Sequence, residues 1–235
     1  MIELSQLNEI QLIAFGLIML RMIAFISSAA IFSAAAVPIT AKVLFSMVLT
    51  MMVYTAVADS KLIARVADQQ DNLIMLAVLE LIVGLCMGFL TRMFFFAVSM
   101  AGEMISVALG LGQAQIFNPL MGSQGNAMEQ FLVMFATLVF LAINGHHLLI
   151  QGLIQSFGTI PVGNVNISAI ELRNVVLAAQ EMFVIAVRMA APIVISMLVI
   201  QIGIGLLSRA VPQINVLSTA ASVSALIGII LLIIC

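Results

Sequence analysis

The stretch Ile229-Ile-Leu-Leu-Ile-Ile234 decides the fold class, because it is apolar without interruption. In a lipid bilayer every backbone N–H and C=O group must find its partner within the protein, which leaves α-helices and closed β-barrels as spanning structures. A barrel strand alternates lipid-facing apolar residues with polar ones. The continuous run therefore predicts a helix, and with it an all-α fold.

The composition of the whole chain agrees with this stretch. Of the 235 residues, 64% are hydrophobic and 8% are charged, whereas a soluble domain carries about 25% charged residues. Because about 20 helical residues cross a bilayer, the chain has room for roughly five to seven spans. We predict one integral-membrane-type domain over residues 1–235.

Seven apolar runs are long enough, or nearly so, to be membrane helices. They cover residues 10–32, 43–58, 73–91, 93–110, 128–157, 174–207 and 214–235. Between them, the polar segment 59–72 with Lys61 and Arg65 predicts a solvated loop. The segment 110–126 combines four glycines with the turn pair Asn118-Pro119 and predicts a long irregular loop.

Several charged residues fall inside the apolar runs. They are Arg21, Glu80, Arg92, Glu103, Glu181, Arg188 and Arg209. A charge at membrane depth is costly and turns towards a partner, a cavity or another subunit. We expect inter-helix or inter-subunit pairing, while the ion path of a transporter is the alternative. The pattern Gly84-xxx-Gly88 predicts a close approach of two helices.

Other classes of function find little support. Eight basic against ten acidic residues create no positive field for nucleic acid. The chain carries no nucleotide-binding motif and no catalytic constellation, so we predict a non-enzymatic protein without a cofactor. His146 and His147 are adjacent and, at about 100° per helical residue, are expected to point apart, which disfavours a shared metal ion.

Motifs in the second half of the chain resemble the FliR/SctT family, a subunit of the type III secretion export apparatus. They are Ala101-Gly-Glu103 followed by Gly110, then Asn118-Pro119, Leu141-Ala-Ile-Asn-Gly-His-His147, Ser156-Phe157, Pro161-Val-Gly163 and Leu206-Leu-Ser-Arg-Ala-Val-Pro-Gln-Ile-Asn215. The stretch from Asn144 to Gly163 resembles the flagellar branch of that family more than the injectisome branch.

The resemblance implies one copy of the chain in a hetero-oligomeric gate built of tilted helical hairpins. The implied partners are FliP-like and FliQ-like subunits, FlhB-like and FlhA-like export components, unfolded secreted proteins and membrane lipid. The implied location is the bacterial inner membrane within the flagellar basal body, with the gate projecting to the periplasmic side once assembled.

The resemblance also implies a pore plug, because the family's loop after the Gly-Glu helix projects into the pore. By position this loop is segment 110–126, and the expected plug residues are Gly110, Gly112, Gln113, Ile116, Phe117, Asn118, Pro119, Leu120, Met121 and Gly122. The glycines would give bending freedom and the large apolar side chains a seal. The family usually has Asp-Pro where this chain has Asn118-Pro119. The alternative function is a secondary transporter of a small solute, although no internal repeat of the transporter kind is evident.

Overall fold

The computed structural model describes residues 4–32, 37–57, 63–64, 66–67, 72–111, 127–163, 172–210, 224 and 226–232. Its helices are α1 (Leu4–Ser28), α2 (Ile39–Val57), α3 (Leu73–Ala108), α4 (Ala127–Ala142), α5 (Gly145–Thr159) and α6 (Leu172–Ala210). The short pieces at 63–64, 66–67 and 226–232 are also helical. Since these ranges contain helices and turns but no strand, the all-α prediction is confirmed.

Three helical stretches are long and apolar enough to cross a membrane: Glu9–Ser28, Leu73–Ala108 and Arg173–Arg209. Helices α4 and α5 would make a fourth crossing if they form one broken span. The 36 residues of α3 extend about 54 Å at 1.5 Å per residue, well beyond the roughly 30 Å of a hydrocarbon core. Length and composition thus confirm a membrane-type helical protein.

Two helix boundaries differ from the sequence prediction. The runs 73–91 and 93–110 form the single helix α3, because an exposed Arg92 leaves the helical backbone hydrogen bonds intact. The run 128–157 is instead divided between α4 and α5 at Asn144, which has the left-handed φ of 57°. Asparagine is one of the few side chains that adopt this conformation readily.

The solvated loop predicted at 59–72 is wrong for part of its length. Val66 is completely buried, and Ile63 and Ala67 pack against the same hydrophobic core. Lys61 and Arg65, on which the prediction rested, lie outside the described residues.

The chain divides into two compact units, which interleave along the sequence. Unit 1 comprises Met1–Met93 and Phe140–Ala178, and unit 2 comprises Phe94–Val139 and Ala179–Cys235. Helices α3, α4 and α6 contribute residues to both units. The expectation of a single domain over residues 1–235 stays a prediction.

Each unit has its own hydrophobic core. The core of unit 1 is built on α1, where residues such as Ile18, Met22 and Phe25 are fully buried. The core of unit 2 joins Ala101 and Ile105 of α3, and Leu109 directly after it, to Ala190, Ile193 and Met197 of α6. These α3 and α6 residues recur every three or four positions, the spacing of one helix face.

Candidate functional site

A buried ion pair joins α1 to α3 inside unit 1. Arg21 Nε donates to Glu80 Oε2 at 2.5 Å, and both side chains are completely buried. A charge is stable in such an environment only when it is paired and hydrogen-bonded. The structure thus brings together two of the seven charges for which the sequence predicted pairing.

Helix α5 supplies the other partners of Arg21. Arg21 Nη1 donates to the Ile160 carbonyl oxygen at 3.0 Å and to Ser156 Oγ at 3.3 Å. Its guanidinium carbon lies 4.3 Å from the centroid of the Phe157 ring, a cation–π contact. Because Ile160 is the C-terminal cap of α5, the positive charge also lies at the negative end of that helix dipole. One arginine therefore ties three helices together.

Two glycines of α3 make the close contact between α1 and α3 possible. A Cβ atom added to Gly84 would lie 2.5 Å from the Arg21 carbonyl oxygen and 2.8 Å from Ala24 Cβ. At Gly88 it would overlap Ser28 Oγ and lie 2.9 Å from the Phe25 carbonyl oxygen. The Gly84-xxx-Gly88 pattern thus forms the surface against which α1 packs, as small residues do between membrane helices.

Sequence reasoning identified Arg21 and Glu80 but missed Ser156, Phe157 and Ile160 as their neighbours. Arg21 lies 135 residues from Ser156 and 139 from Ile160, and no spacing rule connects separate helices over such a distance. The available signal was indirect: Ser156-Phe157 and Pro161 belong to the motifs that carried the family resemblance. The contacts of Ser156 and Phe157 with Arg21 give these two motif residues a structural role.

Four of the other five predicted pairing residues belong to unit 2 and are exposed. They are Glu103, Glu181, Arg188 and Arg209. Across the described ranges, none of these four residues forms an ion pair with another described residue. The prediction of inter-subunit pairing for these four residues stays a prediction.

The base of the predicted plug is a glycine turn at the end of α3. Gly110 has a left-handed φ of 75°, its N–H donates to the Val107 carbonyl, and the Leu111 N–H donates to the Ser106 carbonyl. These two bonds form a Schellman motif, which ends helices at a glycine. The remaining predicted plug residues, Gly112, Gln113, Ile116, Phe117, Asn118, Pro119, Leu120, Met121 and Gly122, lie outside the described residues.

The two adjacent histidines at the start of α5 are in contact. The ring centroids of His146 and His147 are 4.2 Å apart, so the expectation that these side chains point apart is wrong. In the part of the chain that the structure describes, no group of three or more His, Cys, Asp or Glu side chains is placed to hold a metal ion.

An open cleft of about 590 Å³ lies within unit 2. Helix α4 contributes Phe131, Leu132 and Phe135 to its walls, and α6 contributes Arg188, Pro192 and Ile193. Arg188 is the one charged residue among those that line it, and the others are apolar. The cleft is thus an apolar surface with a single positive charge.

Long apolar helices, a buried charge pair and glycine-mediated helix contacts define a helical protein of the membrane type. The sequence model of the family described as "Bacterial export proteins, family 1" matches residues 12–235, and the chain belongs to this family. The family description places this chain among bacterial export proteins.

Curated relatives carry the name flagellar biosynthetic protein FliR. The Bacillus subtilis protein is 29% identical over 225 residues, which cover 94% of this chain and 85% of the relative. The Escherichia coli protein is 30% identical over 214 residues, or 91% and 80% of the two chains. The Aquifex aeolicus protein is 33% identical over 153 residues, or 65% and 59%. These names describe flagellar biosynthesis and mention no catalytic activity.

Proposed function

We propose that this chain is a non-enzymatic subunit of the flagellar protein-export gate in the bacterial inner membrane. With FliP-like and FliQ-like subunits it forms the pore for unfolded flagellar proteins, next to FlhB-like and FlhA-like components of the apparatus. The assembled gate belongs to the basal body and projects to the periplasmic side. The match of the export-family model to residues 12–235 carries this proposal, because it covers nearly the whole chain.

Exposed apolar helix surfaces support a role in a larger assembly. On α2, Ile39 is 78% exposed, Met52 67% and Leu44 63%. Large apolar side chains exposed along a helix are typical of a surface that contacts other proteins or lipid. Helix contacts with companion subunits and with membrane lipid would cover it.

The plug of the gate is the segment 110–126. Its support is the turn at Gly110, which ends α3 in a left-handed conformation, together with the start of α4 at Ala127. The connection between these two helices carries the apolar residues Ile116, Phe117, Leu120 and Met121. In a pore, such a group of large apolar side chains would restrict the passage of ions.

Native mass spectrometry tests the assembly. The full chain is co-expressed with the FliP-like and FliQ-like proteins of its own genome, extracted in detergent and weighed. We expect one copy of the chain in a defined multi-subunit complex. A lone chain or a homodimer, with the companions demonstrably expressed, would contradict the gate, and binding of a small solute to that lone chain would favour the secondary transporter.

Ion conductance tests the plug. Deletion of residues 113–124 should raise the conductance of the assembled complex in planar bilayers, because the apolar seal is removed. The single substitution Ser123→Ala, at a position inside the deleted range that is not one of the expected plug residues, is the matched control and should leave the conductance low. Unchanged conductance of a complex that still assembles with the deletion would contradict the plug.

A further inference from the structure

The cleft of unit 2 combines two features that a lipid molecule also combines. Its walls present aromatic and aliphatic side chains, among them Phe131 and Phe135 of α4 and Ile193 of α6, and Arg188 gives it a positive charge. Arg188 is exposed and forms no ion pair with any described residue. Long acyl chains fit apolar walls, and a phosphate group fits an arginine fork.

The order of these features along α6 matches the order of the parts of a phospholipid. Helix α6 contributes Arg188, Met189, Pro192 and Ile193, so the cleft extends from the charge towards the C-terminal half of the helix. Residues 189–208, which lie between Arg188 and Arg209, are twenty positions without a charge. At 1.5 Å per residue this stretch is about 30 Å long, the thickness of a hydrocarbon core. A phospholipid whose headgroup lies at Arg188 would therefore place its acyl chains along the apolar residues 189–208 of α6.

Pro192 adds a hydrogen-bond acceptor at the same place. Proline has no N–H, so Pro192 cannot donate the helical bond that the carbonyl of Arg188, four residues earlier, would otherwise accept. The Arg188 residue thus offers a guanidinium donor and a carbonyl acceptor. A headgroup with a phosphate and a hydroxyl group satisfies both.

We propose that this cleft binds an anionic phospholipid, with the headgroup phosphate on the Arg188 guanidinium and an acyl chain between α4 and α6. The carboxylate nearest to Arg188 along α6 is that of Glu181, seven residues earlier. The separation along the axis is about 10 Å, which leaves the guanidinium available to a phosphate.

Lipid titration followed by native mass spectrometry tests the proposal on the detergent-extracted full chain, alone and in its co-expressed complex. The probes are dioleoylphosphatidylglycerol and, as the neutral comparison, dioleoylphosphatidylcholine. We expect a retained phosphatidylglycerol adduct that Arg188→Gln weakens about tenfold, as expected for a lost charge-assisted hydrogen bond. The matched control is Arg209→Gln, which removes an exposed arginine of the same helix that does not line the cleft, and it should leave the adduct of the isolated chain unchanged.

Three results would overturn the proposal. Equal weakening by both substitutions would indicate general surface charge, and equal retention of the two lipids would exclude recognition of the anionic headgroup. An adduct that the isolated chain retains but the complex excludes would assign the cleft to a carboxylate-bearing helix of a companion subunit. Competition with inorganic phosphate separates headgroup binding from lipid binding, because displacement of the lipid by phosphate at equal concentration would show that the acyl chain contributes nothing.

A second measurement uses the unsubstituted protein and does not depend on the folding of a variant. Phosphatidylglycerol with a photoreactive diazirine in its acyl chain is cross-linked to the full chain, and the labelled peptides are mapped. Labels on residues 131–135 and 188–193 are expected. Labels confined to other helices would contradict the proposal.

Discussion

Two charged residues of unit 1 and four charged residues of unit 2 lie in opposite environments. In unit 1, Arg21 and Glu80 are completely buried, paired and further held by α5. In unit 2, Glu103, Glu181, Arg188 and Arg209 are exposed, and none forms an ion pair with a described residue. A buried charge must be satisfied within the chain, whereas an exposed charge on an apolar helix is available to another molecule.

This contrast assigns different tasks to the two units. The ion pair of unit 1 joins α1 to α3, and its arginine also contacts α5. Among the described residues, the buried atoms Arg21 Nη2 and Glu80 Oε1 have no hydrogen-bond partner. The four charges of unit 2 are exposed and its cleft is open, so companion subunits or lipid can contact them. We therefore expect substitutions in unit 1 to damage the fold and substitutions of the unit 2 charges to damage assembly.

The largest effect is expected from Arg21→Met. The substitution leaves the Glu80 carboxylate buried without its partner, which costs about 3–5 kcal/mol of unfolding free energy. Urea unfolding followed by circular dichroism measures the loss. Arg209→Met makes the same change at an exposed site and should cost less than about 0.5 kcal/mol.

The double variant Arg21→Met with Glu80→Met sharpens the result, because it removes the isolated charge and should recover most of the lost stability. If Arg21→Met is no more destabilising than Arg209→Met, the contrast between the units is wrong.

A smaller loss is expected from Gly84→Ala. The new Cβ would lie 2.5 Å from the Arg21 carbonyl oxygen, so α1 and α3 must separate at a cost of about 1–3 kcal/mol. Gly203→Ala is the matched control, since nothing lies within 4 Å of the added atom. It should be neutral or stabilise α6 by up to about 1 kcal/mol. Equal thermal stability of the two variants would argue against close packing at Gly84.

Gly110→Ala should cost about 1 kcal/mol, because an L side chain is strained at a φ of 75°. Gly110→Asn should cost less, since asparagine tolerates this conformation better than alanine. Thermal unfolding of the assembled complex compares the two. Indistinguishable midpoints would contradict a left-handed turn at the end of α3.

The smallest effect on chain stability is expected from Glu181→Gln, within about 0.5 kcal/mol. The yield of complex on co-purification with the companion subunits should nevertheless fall, because an inter-subunit charge contact is lost. Glu9→Gln changes an exposed carboxylate of α1 and serves as the control that leaves both quantities unchanged. An undiminished yield with Glu181→Gln would show that this carboxylate makes no contact with a companion subunit that assembly requires.

The sequence predicts the helical class well because uninterrupted apolar runs such as Ile229–Ile234 lack the alternation of apolar and polar residues that a barrel strand requires. It also marks Arg21 and Glu80 as charges in need of partners. It cannot pair them, because periodicity relates residues within one helix, whereas these two lie 59 positions apart on different helices. Dividing the runs at Arg92 failed since a charge does not break a helix. The polar residues around Val66 likewise led to the prediction of a solvated loop, whereas Val66 is buried.

Thiol labelling of the unit 2 surface tests the central claim most directly. A single cysteine is placed beside Glu181 by Gln180→Cys, an exposed position, in a chain carrying Cys86→Ala and Cys235→Ala. The rate of maleimide labelling is compared in one detergent for the chain alone and for the co-expressed complex. The account predicts rapid labelling of the isolated chain and strong protection in the complex. Equal rates would show that companion subunits leave this face of unit 2 uncovered, and would contradict the account.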